Sequence, residues 1–167
     1  TVISFAAQHV GMRLRKVVDD YAVLAKKGAI IDYTFHMIIS DPTDATLKED
    51  VPALVREGHG SIKIFMTYDR LKIEDEKLLD ILLAARKSGA LVCVHAENHG
   101  MIAWMGRRLI EAGHTAPKFH ALSHPRGSEA EVDAASCGFD LALGVMAPDS
   151  KFGKCLLIFV KTSYSNA

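Results

Sequence analysis

The chain has 167 residues, 49% of them hydrophobic, which is enough for one sizeable core. Its 20 basic and 20 acidic residues cancel, so no net charge draws it toward nucleic acid or a membrane surface. The longest apolar run, Cys155–Val160, is far too short to span a bilayer. Three widely spaced cysteines form no zinc-finger pattern, and the first residues do not look like a signal peptide. We therefore expect a reduced, cytoplasmic protein without nucleic-acid or membrane partners.

Strand-like runs recur along the chain at an almost constant spacing. They begin near Val2, Ile30, Ser61 and Leu91, which gives a repeat of about 30 residues, the length of one βα unit. Helical patterns fill the gaps between them. The first helix carries an apolar stripe made of Leu14, Val17, Val18, Tyr21 and Leu24.

The later helices have recognisable ends. The second follows the turn signal Asp41–Asp44 and reaches Gly58, and the third ends at Gly89, which suits the residue after a helix. The fourth is expected from about Glu97 to Gly113, and a capping-box spacing at Ser128–Glu131 predicts a fifth. We expect the fourth helix to bury its large apolar residues, Ile102, Trp104, Met105, Leu109 and Ile110.

Alternating strands and helices predict an α/β fold with parallel strands and right-handed crossovers. A doubly wound sheet and a (β/α)8 barrel both fit this alternation. The first βα connection contains no GxGxxG motif, and the chain contains no GxxxxGK[ST] motif, which argues against dinucleotide or P-loop use. Polar residues at strand ends favour a barrel. A full barrel has eight units and about 250 residues, so the four to five units here predict a partial TIM (β/α)8 barrel.

The strand Ser61–Tyr68 carries a lysine in an apolar run, and Val94–Asn98 places a histidine at the end of the next strand. Lys63 should point its amine into a protein interior, where an unpaired ammonium costs several kcal/mol. A neutral buried amine can take up carbon dioxide to form a carbamate, an anionic ligand with two oxygens. With His95 as a nitrogen donor, the pair suggests a metal site. Two alternatives stay open: a lysine that reaches solvent from an edge strand, and a hydrogen-bonded core histidine.

Several segments of the chain together resemble the dihydropyrimidinase/D-hydantoinase family, a group of cyclic amidohydrolases. The strongest are Ser61–Tyr68 and Leu91–Asn98, and the others are Thr1–Phe5, Tyr33–Pro42, Ala116–Ala121 and Glu129–Glu131. The resemblance implies a metal-dependent hydrolase barrel that opens dihydropyrimidines or hydantoins to N-carbamoyl amino acids. It implies two zinc ions bridged by a carbamylated Lys63, with His95 as a further metal ligand and Tyr68 as a hydrogen-bond donor to the oxyanion. It also implies a homo-oligomer, a tetramer in the family.

The chain departs from the family pattern in two respects. Only two of the usual six metal-binding side chains are present, and Phe159 stands roughly where a further histidine is expected. From Val132 onward the resemblance is lost, so we expect residues 1–131 to be a partial barrel and residues 132–167 a divergent tail. A reading-frame slip after Glu131 would explain that tail, and a genuinely truncated protein is the alternative. A non-catalytic, dihydropyrimidinase-related scaffold protein is the second hypothesis for function, and the presence of Lys63 favours the enzyme.

Overall fold

The computed structural model describes residues 1–125, Ser128 and the backbone of a short strand at residues 157–159. Its strands are β1 (Val2–Ala7), β2 (Tyr33–Ile38), β3 (Ser61–Phe65), β4 (Leu91–His95) and β5 (Leu157–Phe159). The α-helices are α1 (Leu14–Lys26), α2 (Val51–Arg56), α3 (Asp75–Ser88), α4 (His99–Glu111) and α5 (His120–Ser123). A π-helical turn, Thr46–Asp50, leads into α2, and a 3₁₀ turn, Pro117–Phe119, leads into α5.

The five described strands form one parallel sheet in the order β1-β2-β3-β4-β5. Each strand therefore lies beside its neighbour in the sequence. A doubly wound sheet reverses its strand order at a switch point, whereas a barrel adds its strands in sequence around the axis. The order found here is that of a partial TIM barrel, which confirms the prediction of fold class.

The two faces of the sheet differ because side chains alternate along each strand. One face packs against α1, α2 and α3, and it supplies most of the core, including Ala6, Phe35, Met37, Ile62, Ile64, Val92 and Val94. The opposite face, which corresponds to the inside of a barrel, carries Phe5, His36, Lys63 and His95. Phe5 remains 48% exposed there, so this part of the inner face is open to solvent.

Contacts at helix ends explain how the outer layer is fixed. Arg13, just before α1, donates to the carboxylate of Asp50 through Nε at 3.0 Å and Nη2 at 2.6 Å. Asp50 is buried and also accepts from the backbone N–H of Arg15. Gly89 ends α3 in the left-handed region at φ 77°, as its place in the sequence predicts.

Three expectations need correction. Strand β2 begins at Tyr33 and not near Ile30, because Gly28–Asp32 forms the exposed connection from α1, where Ile30 is 97% exposed. Leu24 of α1 is exposed, because the face of that helix that packs on the core runs through Val18, Tyr21 and Ala25 and does not include Leu24. In α4, Trp104 and Ile110 are exposed as well, and the helix has no buried residue, because its main contact within the described residues is the short helix α5.

Of the expected capping box, only Ser128 is described; residues 129–131 and most of the tail from Val132 lie outside the described residues. Strand β5 is the described part of the expected strand around Leu156–Val160. Its register pairs Phe159 with Val94, one residue before His95. Within the described part of the chain, no helix is long and apolar enough to cross a membrane.

Candidate active site

The carboxyl ends of β3 and β4 bring together the side chains that the sequence singles out. The register pairs Phe65 with His95 and Lys63 with Cys93. Lys63 and His95 therefore lie on the same face of neighbouring strands, with His95 one side-chain position closer to the carboxyl ends of the strands. This is the inner face, at the strand ends where barrel enzymes carry their active sites. The structure therefore places both proposed ligands and Tyr68 in one region.

The amine of Lys63 is buried without a hydrogen-bond partner among the described residues. The whole residue is 4% exposed, and Nζ lies 4.7 Å from the centre of the Phe65 ring. Burial lowers the pKa of this amine below its ordinary value, with a smaller opposing effect from Cys93. A deprotonated amine is the form that reacts with carbon dioxide. An edge lysine that reaches solvent is excluded by this burial and by the central position of β3.

His95 is held by a buried carboxylate. Its Nε2 lies 2.5 Å from Oε2 of Glu97, which is 3% exposed. The imidazole also stacks on Phe65, with ring centres 5.5 Å apart and planes inclined by 25°. Glu97 belongs to the His-Ala-Glu-Asn motif, but sequence spacing alone gave it no role. Its contact depends on the turn after β4, which strand periodicity does not predict.

Tyr68 lies in the turn after β3 and reaches the same imidazole. Its hydroxyl lies 3.4 Å from Nε2 of His95, and the two ring centres are 5.1 Å apart. The backbone of Tyr68 has φ 71°, and it is the one described residue other than glycine with a positive φ. Residues other than glycine rarely adopt a positive φ, and those that do are often found at functional sites. Its carbonyl accepts from the N–H groups of Leu71 and Lys72, both at 2.9 Å.

A second histidine, at the first position of α4, contacts both neighbours of Tyr68. Nδ1 of His99 lies 3.4 Å from Oγ1 of Thr67, and Nε2 lies 3.2 Å from Oδ1 of Asp69. Thr67 is buried, whereas the carboxylate of Asp69 is exposed. The helix itself is capped by Asn98, whose side chain accepts from the N–H of Met101. Neither Thr67 nor His99 was singled out in the sequence, because their contact joins two loops.

A further histidine on this face, His36, is hydrogen-bonded: Nδ1 lies 2.6 Å from Oγ of Ser61. Burial, and to a smaller extent Lys63, lowers its pKa. No group of three or more His, Cys, Asp or Glu side chains in the described part of the chain is placed to hold a metal ion. The buried, unpartnered amine of Lys63 and the nearby imidazole of His95 nevertheless suit part of a metal site, once the lysine carries a carbamate.

No protein-family model matches the chain. Over 138 residues it is 39% identical to a D-hydantoinase of Geobacillus stearothermophilus, covering 82% of this chain and 29% of that protein. Over 124 residues it is 43% identical to D-phenylhydantoinases of Escherichia coli, covering 74% of this chain and 26% of the relative. The chain thus spans less than a third of the curated relatives it matches.

Solved structures give the same result. A D-hydantoinase structure superimposes with a TM-score of 0.80 at 36% identity, covering 85% of this chain and 31% of the other. A dihydropyrimidinase from Brevibacillus agri NCHU1002 superimposes with a TM-score of 0.78 at 31% identity, covering 98% of this chain and 33% of the other. By sequence and by fold, the chain corresponds to part of a protein of the dihydropyrimidinase/D-hydantoinase family.

Proposed function

We propose that the protein carrying this segment is a zinc-dependent cyclic amidohydrolase that opens dihydropyrimidine or hydantoin rings to N-carbamoyl amino acids. The supporting observation is the buried amine of Lys63, unpartnered within the described residues, one strand away from His95. In the reaction, water adds to the ring carbonyl, the ring C–N bond breaks, and the departing nitrogen takes up a proton.

Lys63 would serve as an anionic ligand after modification. Its nitrogen lone pair bonds to the carbon of carbon dioxide and the nitrogen then loses a proton, which leaves a carbamate with two oxygens. The lowered pKa of the amine favours the neutral form that this reaction needs. The change also removes the cost of a buried, unpaired ammonium.

His95 would supply a nitrogen ligand, oriented by Glu97 and by stacking on Phe65. A carboxylate behind a metal-binding imidazole commonly fixes its tautomer and ring plane. Two zinc ions, when bound by these residues and by donors outside this segment, would lower the pKa of the attacking water and polarise the ring carbonyl. Tyr68 would donate a hydrogen bond to the oxygen of that carbonyl as negative charge develops on it.

Two ligands are too few for a dinuclear site. We therefore expect the isolated chain to be inactive and unstable, since the open inner face and strand edges remain uncovered. Measurable turnover of dihydrouracil by the purified 167-residue chain with zinc bound would contradict this expectation. We also place the complete protein in the cytoplasm as a homo-oligomer, a tetramer by family resemblance.

Residues 1–131 would form the family part of the chain and residues 132–167 the divergent tail. Resequencing tests this division. A second frame downstream of the Glu131 codon that encodes an Ile-Val-His-Val-like strand supports a frame slip. Absence of such a frame, with a protein of this length made in cells, supports true divergence.

The carbamate provides the sharpest test of the proposed function. The complete protein, incubated with ¹³C-labelled bicarbonate, should show one protein-bound carbamate carbon by NMR. Lys63→Ala should lose that signal, the zinc content and the ring-opening activity, and added short carboxylic acids should restore part of the activity. A matched control, Lys72→Ala, removes a more exposed lysine of the following turn and should keep all three. An absent carbamate, with no ring opening in the parent protein, would favour the non-catalytic scaffold instead.

A further inference from the structure

We propose that His99 is a positioning residue that holds the turn of Tyr68 in its reactive geometry, an inference that rests on the proposed function. The observation behind it is that one imidazole contacts the residue before Tyr68 and the residue after it. Nδ1 lies 3.4 Å from Oγ1 of Thr67, and Nε2 lies 3.2 Å from Oδ1 of Asp69.

The backbone of Tyr68 needs such support. At φ 71° an L-residue adopts this conformation only where its surroundings determine it. Other contacts also hold the turn. N–H groups of Leu71 and Lys72 donate to the Tyr68 carbonyl, Ile73 donates to Phe65, and the Tyr68 hydroxyl and ring contact His95 at the end of β4. His99 adds contacts from a further element, the start of α4, on both sides of Tyr68.

Placement of the imidazole follows from the local sequence. Asn98 caps α4 and so fixes the direction in which the helix begins. His99, as the next residue, is then directed back toward the turn, with its side chain 28% exposed. Thr67, two residues after β3, is buried, whereas the carboxylate of Asp69 is exposed. The contact with Thr67 therefore carries more of the effect than the solvent-exposed contact with Asp69.

The role differs from that of a ligand or of a reacting group. His99 touches neither Lys63 nor His95 in any described contact, and it acts through the position of the Tyr68 hydroxyl. That hydroxyl lies 3.4 Å from Nε2 of His95, so a shift of the turn moves it relative to the whole site. Even a small displacement of a catalytic group lowers the reaction rate considerably.

Hydrogen exchange on the complete, metal-free protein measures how firmly His99 holds the turn, independently of activity. In His99→Ala, protection of the Leu71, Lys72 and Ile73 amides should fall roughly tenfold, the scale for losing two partly exposed side-chain contacts. Asp69→Ala changes an exposed residue and should give a smaller loss, about twofold to threefold. The control His114→Ala removes a histidine that follows the far end of α4 and packs against the Phe119 ring, with ring centres 4.4 Å apart, and it should leave protection unchanged. Unchanged protection in both His99→Ala and Asp69→Ala would overturn the proposal.

Kinetics then test the route through Tyr68. In the zinc-loaded complete protein, His99→Ala should lower kcat by about tenfold while KM and zinc content stay within about twofold. In a Tyr68→Phe background the same change should have less than about a twofold effect, since the hydroxyl being positioned is gone. His99→Gln, which can still donate to Asp69, should recover part of the loss.

The outcomes separate the two proposals. An equal effect of His99→Ala in both backgrounds rejects the positioning role, even if ring opening itself is confirmed. Full activity of Tyr68→Phe rejects the oxyanion role of Tyr68 under the proposed function, whereas the exchange experiment still decides whether His99 holds the turn. If His99→Ala does not fold, exchange in Asp69→Ala and kinetics of His99→Gln decide the question.

Discussion

Replacing Lys63 by methionine should stabilise the metal-free protein while abolishing its proposed chemistry. Methionine has nearly the same length and no polar terminus. The residue is 4% exposed, and its Nζ has no hydrogen-bond partner among the described residues. An unsatisfied buried polar group costs about 1–3 kcal/mol. The contact between Nζ and the Phe65 ring at 4.7 Å offsets about 0.5–1 kcal/mol of this cost.

The difference leaves a gain of roughly 0–2.5 kcal/mol for Lys63→Met, centred on about 1 kcal/mol. In the complete protein, which is larger than this chain, that raises Tm by a few degrees at most. Chemical denaturation of the metal-free complete protein should show a higher midpoint with an unchanged slope. The matched control is Ile64→Met, an apolar swap at the adjacent buried position, which should cost less than about 1.5 kcal/mol and not stabilise. A lower midpoint for Lys63→Met would refute the argument that burial of this amine destabilises the folded protein.

Three further predictions concern single side chains. Tyr68→Phe in the complete protein should keep its zinc but lose roughly 10²–10³ in kcat, and an unchanged kcat would return Tyr68 to a packing role. Burial alone would raise the pKa of Asp50, but the hydrogen bonds from Arg13 and the Arg15 backbone, together with the positive charges of both arginines, lower it overall. The carboxylate therefore stabilises the fold above its usual pKa of about 3.9, and that stability is lost as pH falls through the lower folded value. Asp50→Asn should cost about 1–2 kcal/mol near neutral pH, with the difference from the parent shrinking in acid; a difference independent of pH would contradict this. Gly89→Ala should cost roughly 1–2 kcal/mol in thermal unfolding because φ is 77°, and a neutral result would show that α3 ends differently.

Periodic features were predictable from the sequence. The repeat of about 30 residues identified the βα units, and Gly89 marked the end of α3 through its freedom to adopt positive φ. Lys63 and His95 could be paired because neighbouring parallel strands place their carboxyl ends at one edge. Each of these signals is local, or depends on a regular repeat.

Features that depend on particular tertiary contacts were not predictable. The apolar residues of α4 read as a buried stripe, yet Trp104 is 51% exposed, because burial depends on a neighbour and not on spacing. The carboxylate of Glu97 and the imidazole of His99 gained their partners from the turns after β3 and β4. Turn geometry of this kind, including the positive φ of Tyr68, does not follow from any periodic pattern of residues and so cannot be predicted from a single sequence.

The sequential strand order also has a consequence for how the site is made during synthesis. Lys63 and His95 are separated by a single βα crossover of about thirty residues, so the pairing of their two strands closes a short loop at little entropic cost. At translation rates of about 5–20 residues per second, that crossover leaves the ribosome within seconds of the lysine. The two side chains can thus take up their relative positions while later strands are still being made. The nascent chain would then present the two proposed ligands, already side by side, to the segments that complete the barrel.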